Sequence, residues 1–452
     1  MMARMWGVCA CLLVLGTGCS SSEGEATNKA GPTSATPTKH TSDPVAPAAD
    51  GAQEAGNPSS LLQWEPSEPV ELRLWHTYRD KEREALSLAV AAFNKGSKNI
   101  KLVSNYTPYD GFENKLRITI TQGDQGPDLF VDAHDKLGSY VANKMVAPLN
   151  TVVTDASLEG FDEFVGRAMM QNSNLYGLPL ALKPLALFYN KAFVKEIPAS
   201  MEALIAQLKP LQTAERVTRG PKTPFYGFVY EAGNLFFHGQ WLTAFGGEIL
   251  DPALRPMLDT RAQEKALAFA RALHKEHEFV PVGIDGNMVV SYFNNKQAAV
   301  VLSGPWLRAS INKDIDYGVA MIPTLMGKKA KPYVTVEGVY VSRSSKHLKA
   351  AAKAALFLAR PEAAKLRMEQ GLQVVAHGPT LAASKDAINI AFMHQAKNAI
   401  LLDARPEMGA VWKAVNEALQ KGVFSENAHI PSLLRGAQEK VVLDLRKLGR
   451  IQ

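Results

Sequence analysis

Few residues of this chain stand in patterns that support covalent chemistry. Ser310 and Lys313 have the Ser-x-x-Lys spacing of acyl-transfer enzymes, in which a basic partner takes the serine proton. A four-residue pattern is common by chance, and no Ser-Asp-Asn or Lys-Thr-Gly motif accompanies it. His274 and His277 lie three residues apart before Glu278, whereas zinc hydrolases place His-Glu-x-x-His on one helix face. Gly220-Pro221-Lys222-Thr223 lacks the upstream glycine of a phosphate-cradling loop. Paired carboxylates for glycoside hydrolysis depend on a separation in space, and no motif points to them. The three cysteines, Cys9, Cys11 and Cys19, all fall near the start, so no disulfide, zinc-thiolate site or thiol nucleophile is expected downstream. No catalytic residue, metal or cofactor is therefore expected.

The elements that would position a binding site are legible. The chain has 452 residues, 46% hydrophobic and 21% charged, the range of soluble globular proteins. Its net charge of +6 is interleaved, as in Arg79-Asp80-Lys81-Glu82-Arg83-Glu84, with no basic block that would suggest nucleic acid. Residues 1–19 carry a positive start, a short apolar run and small residues, the parts of a secretory signal. Leu15-Gly16-Thr17-Gly18-Cys19 is similar to a bacterial lipobox, which makes Cys19 the expected lipid attachment site. Residues 20–69 are rich in Ser, Thr, Ala, Pro and Gly and predict a disordered tether with a reach of roughly 40 Å.

From Val70 the pattern changes. Val70-Glu71-Leu72-Arg73-Leu74 alternates as a strand, and Leu86, Ala89, Val90 and Phe93 mark a helix face. Strands are expected at 99–105, at 128–131 and at 298–302, with later helices at 346–359, 406–419 and 431–448. This order predicts an α/β chain with mainly parallel sheets.

The order of short motifs resembles the maltose-binding group of extracellular solute-binding proteins, the receptors of bacterial sugar ABC importers. The resemblance runs from about Val70 to the end. It rests on Gly126-Pro127-Asp128, Ala133-His134-Asp135-Lys136-Leu137-Gly138, Leu187-Phe188-Tyr189-Asn190-Lys191, Gly304-Pro305-Trp306, Tyr317-Gly318-Val319 with Ile322-Pro323-Thr324, and Lys331-Pro332-Tyr333-Val334. It implies a two-lobed periplasmic-binding-protein-like fold of type II, two α/β lobes joined by a hinge with the ligand in the cleft between them. Lobe I would be 70–181 and 335–377, and lobe II 184–332 and 379–452.

An oligosaccharide presents apolar C–H faces and a rim of hydroxyls, which call for aromatic plates and polar side chains. The resemblance implies stacking roles for Trp306, which follows a strand and a Gly-Pro turn, for Trp412 and for Phe236. Trp412 also belongs to an apolar stripe of Met408, Val411, Val415 and Leu419. For the hydroxyl rim it implies Asp135, Lys136, Glu113, Arg79, Asp80 and Lys81. Lys183 stands where maltose receptors have a sugar-binding Glu, Asp132 replaces an aromatic, and Lys413 and Asn416 replace a Tyr and an Arg. The partners implied are an oligosaccharide, ABC permease subunits and a membrane reached through the lipid, with the protein a monomer in the periplasm or at the cell surface. A sugar sensor without a transport role and a secreted carbohydrate-active hydrolase are the alternative readings.

Overall fold

A computed structural model describes residues 58–121 and 126–450, apart from the side chain of Asp155. The expected signal peptide, Cys19 and most of the tether lie outside the described residues. In chain order the strands are β1 (Val70–His76), β2 (Ile100–Tyr106), β3 (Leu129–Ala133), β4 (Met170–Gln171), β5 (Asn174–Leu175), β6 (Gly177–Pro184), β7 (Ala186–Asn190), β8 (Tyr226–Val229), β9 (Ala298–Ser303), β10 (Tyr317–Ala320), β11 (Tyr333–Val341) and β12 (Ile400–Leu401). They form two main sheets. One has the order β12-β11-β3-β1-β2 with β6 on the other side of β11, and the second has the order β10-β7-β9-β8.

The expectation of mainly parallel sheets needs correction. β1 pairs in parallel with β2 and β3, but β11 is antiparallel to both β3 and β6. In the second sheet β7 is antiparallel to β9 and β10, and only β8 and β9 run together. The cause lies in how the chain moves between lobes. β6 runs towards the second lobe and leaves the first sheet at Pro184, with only Leu185 between it and β7; β11 brings the chain back and must run the opposite way.

Each sheet is covered by helices whose apolar faces follow the expected spacing. The helix Asp80–Gly96 buries Leu86, Ala89, Val90 and Phe93, with Phe93 edge-on to Phe357 at 5.4 Å. Phe130, Tyr140 and Tyr340 pack together on the first sheet, and Trp241 packs edge-on to Tyr230 beside the second. The later helices run Leu348–Ala359, Met408–Phe424 and Ile430–Lys447.

The tether was expected to stay without structure to residue 69, and its last dozen residues are instead folded onto lobe I. Pro58–Gln63 is a short helix that buries Leu61 to 3% exposure. Lys353, buried in the helix Leu348–Ala359, donates to the carbonyl of Trp64 and to Glu65 Oε1, each at 2.6 Å. Glu65 also accepts from Ser97 Oγ and the Asn99 amide, and the Lys349 ammonium lies 4.6 Å from the Trp64 ring. Composition hid this strap because one leucine, one tryptophan and one carboxylate suffice when a buried lysine on the domain needs partners.

Candidate functional site

The parallel strands β1 and β3 end at the edge of lobe I from which β6 leaves for lobe II. In open α/β sheets this carboxyl edge is where ligands bind. After β3 the chain forms the turn His134–Lys136. The buried His134 ring holds the turn in place, accepting from the Val336 amide at Nδ1 (3.0 Å) and donating from Nε2 to the Leu402 carbonyl (2.9 Å).

Burial keeps the His134 ring neutral, pushing it down to about 4 from 6.5. As pH falls from 6.5, the unfolded chain takes up a proton that the fold excludes until about 4, so stability is lost across that window. His134→Gln, which cannot titrate, is expected to remove about one proton from the pH dependence of stability. That is about 1.4 kcal/mol per pH unit near pH 5, measured by urea unfolding between pH 4 and 7. An unchanged slope would show that the ring is free to ionise in the fold.

With His134 pointing inwards, Asp135 and Lys136 are left at the edge, both half-buried. Burial pushes the Asp135 carboxyl up to about 6, against the opposing pull of Lys136. The Lys136 ammonium bonds both oxygens of the buried Asp132 at 3.1 Å and sits 5.0 Å from the Tyr109 ring. Burial alone would lower its pKa, but the charge of Asp132 raises it above its ordinary value. Asp132, which replaces an aromatic, thus orients Lys136 and also accepts from Tyr140 Oη. Glu113 is exposed in the first turn of the helix Phe112–Thr121, close enough for its charge to act on Asp135. Tyr109, 57% exposed, is a rim aromatic that motif reasoning passed over.

Behind this rim lies a buried charge network centred on Lys183. Its ammonium meets Glu82 Oε1 at 2.8 Å and Glu337 Oε2 at 3.1 Å. Tyr78 Oη donates to the same Glu337 oxygen at 2.9 Å, and Gln373 Nε2 donates to Glu82 Oε1 at 3.2 Å. Burial would lower the lysine pKa, and the two carboxylates more than restore it. Lys183 was expected at the ligand, but its charge is enclosed by these acids. Arg79, Asp80 and Lys81 are all exposed at the start of the next helix. Asp80 has a left-handed backbone, φ 45°, and accepts from Ser310 Oγ of lobe II at 3.1 Å. The hydroxyl of the Ser-x-x-Lys pattern is thus turned to a contact between lobes.

Lobe II supplies the aromatic faces. β9 ends at Ser303, and Gly304 leads into the turn Pro305–Ser310 that carries Trp306. The half-buried indole lies back over Gly304, where a Cβ would come within 2.0 Å of the ring. Phe236 and Phe237 each stand 6.4 Å from Trp306, centroid to centroid. Both belong to the helix Leu235–Ala244, whose first amide donates to Asn416 Oδ1 at 2.8 Å. Asn416 therefore fixes the start of the aromatic helix, a role not read from the sequence. Trp412, one turn earlier on Met408–Phe424, shares that face and is half-buried, while Met408, Val411, Val415 and Leu419 are core, as their stripe predicted. Glu231, also missed, precedes this helix, and burial with the nearby Asp285 charge pushes its carboxyl up to about 7.

The turn bearing Trp306 packs against both β6 and the helix Asp80–Gly96, the elements that carry Lys183 and Glu82. Aromatic faces from one lobe and fixed carboxylates and an ammonium from the other can grip a ligand with apolar faces and hydroxyl edges. Among the described residues no group of three or more metal-ligating side chains forms.

Comparison with known proteins agrees with this arrangement. The family model described as bacterial extracellular solute-binding protein matches residues 79–365. A maltotriose-binding protein of Pyrococcus abyssi (strain GE5 / Orsay) is 27% identical over 386 residues, 82% of each chain. A maltooligosaccharide ABC transporter solute-binding lipoprotein of Streptococcus pneumoniae (strain ATCC BAA-255 / R6) is 25% identical over 316 residues, 66% of this chain and 72% of that one. The solved structure of the Thermus thermophilus maltotriose binding protein bound with maltotriose superposes with a TM-score of 0.75 at 24% identity, covering 83% of this chain and all of the other. That likeness is one of fold, and the fold is the two-lobed type II arrangement that the sequence resemblance implied.

Proposed function

The chain belongs to the bacterial extracellular solute-binding proteins, and from that premise we propose that it captures a maltodextrin-like oligosaccharide between its lobes and delivers it to the permease of an ABC importer. It is a binding protein and not an enzyme. The observation that carries the sugar reading is that the Trp306 and Phe236 rings stand together on lobe II while Asp135 and Lys136 stand half-buried at the carboxyl edge of lobe I. Closing the lobes on one ligand would be favoured only as far as both touch it. The names of the Pyrococcus and Streptococcus relatives support an oligosaccharide, and the second supports both a transport role and a lipid on Cys19. In this reading the lobes are 70–181 with 335–377 and 184–332 with 379–452. The shared sheet of β7 to β10 supports that division, although β12, from the last segment, pairs with β11.

Calorimetry of the folded domain against maltose, maltotriose, trehalose, sucrose and an amino-acid panel tests the proposal. Binding to amino acids alone would overturn it. Trp306→Ala is expected to weaken sugar binding by about 1–3 kcal/mol, the worth of a well-packed aromatic anchor. An unchanged affinity in the folded variant would mark Trp306 as core only. Loss of labelled-sugar uptake on deletion of the gene would separate transport from sensing.

A further inference from the structure

Among the charged groups around Lys183, Glu337 stands apart. It lies on β11 opposite Ala133, the last residue of β3, so it sits at the same carboxyl edge as Asp135 and Lys136. One of its oxygens, Oε2, takes both donors offered from inside, Tyr78 Oη and Lys183 Nζ. The described hydrogen bonds leave Oε1 open, and 15% of the side-chain surface remains exposed against 6% for Lys183. A carboxylate with one oxygen anchored from below and the other reachable is a rigid acceptor for hydroxyl groups. The turn that carries Trp306 packs on β6, the strand of Lys183, and on the helix of Glu82.

On the reading of the cleft as an oligosaccharide site, we propose that Glu337, rather than Lys183, is the polar group at its floor that binds the ligand, accepting a hydroxyl of the sugar ring seated beneath Trp306. Lys183 and Tyr78 then act as positioning residues that hold the carboxylate in one orientation. The strength follows from the chemistry: a hydroxyl donating to an ionised, partly dehydrated carboxylate forms a charge-assisted bond, stronger than one to a neutral amide. The groups facing Glu337 are Tyr78 from the loop after β1, Glu82 from the helix Asp80–Gly96, Lys183 from β6 and Arg367 from the helix Pro361–Glu369. Together with Glu337 their formal charges cancel, which suits the acceptor site to a neutral ligand.

The test compares wild type and Glu337→Gln by calorimetry with maltotriose and its monodeoxy analogues. The variant keeps the shape of the side chain and leaves Lys183 paired with Glu82, so it is expected to fold, as thermal melting will check. Expected is a roughly ten- to hundredfold loss of maltotriose affinity, and at least one deoxy analogue that binds both proteins equally. An affinity within twofold of wild type in the folded variant, or a loss that is the same for every analogue, overturns the assignment of Glu337. Absence of oligosaccharide binding in the wild type would instead overturn the sugar reading itself and this inference with it.

Discussion

Glu65→Leu is expected to cost about 3–5 kcal/mol of folding stability, although residue 65 lies in a stretch whose composition reads as linker. Lys353 is 3% exposed, and its charge has two partners, the Trp64 carbonyl and the Glu65 carboxylate. Removing the carboxylate leaves a buried ammonium with one neutral acceptor, the costly half of a broken pair. Lys353→Met on the same background should recover most of the loss, because an apolar side chain needs no partner there. Urea unfolding of the two variants decides the matter. A Glu65→Leu protein as stable as wild type would mean that the strap is not docked in solution.

The same pair gives a sign for acid. Burial would raise the Glu65 carboxyl, but the bond from Lys353, with Asn99 and Ser97 also donating, holds it at about 2 against an ordinary 4.5. Its contribution is complete above 4.5 and is lost as pH falls towards 2.

Lys183→Met carries a comparable expected cost, about 3–5 kcal/mol, because it removes the ammonium that pairs directly with both Glu82 and Glu337. Burial already raises the Glu337 carboxyl, and the nearby Glu82 adds to this while Lys183 opposes it. Adding Glu82→Gln and Glu337→Gln to Lys183→Met should restore much of the stability, since a neutral cluster can be satisfied by hydrogen bonds. A triple variant no more stable than the single one would show that the cost comes from lost packing. Sugar binding should not return in the triple variant, which separates the structural role of the network from its role at the ligand.

The elements were largely legible in the sequence. The alternation at 70–74 became β1, the run 298–302 became β9, and the stripe from Met408 to Leu419 became a buried helix face. These patterns are local, since each records which side of one element loses water, and a single segment carries that information. The aromatic types were legible too, because a tryptophan after a strand and a Gly-Pro turn has few places to go.

Which charges meet was not legible. Lys183 finds Glu82 across 101 positions, and Tyr78 finds Glu337 across 259. Lys136 was named only for the hydroxyl rim, yet Asp132, four residues back on β3, fixes it. Asn416 looked like a lost ligand and is a helix cap for the chain near Phe236. By itself the sequence determined the strands at 70–74, 99–105, 128–131 and 298–302, the later helices and the family resemblance. The tertiary structure decided which polar groups are enclosed and which stay open, as at Lys183 and Glu337. The physical reason is that pairing and desolvation depend on distance through space, and chain separation says nothing about either.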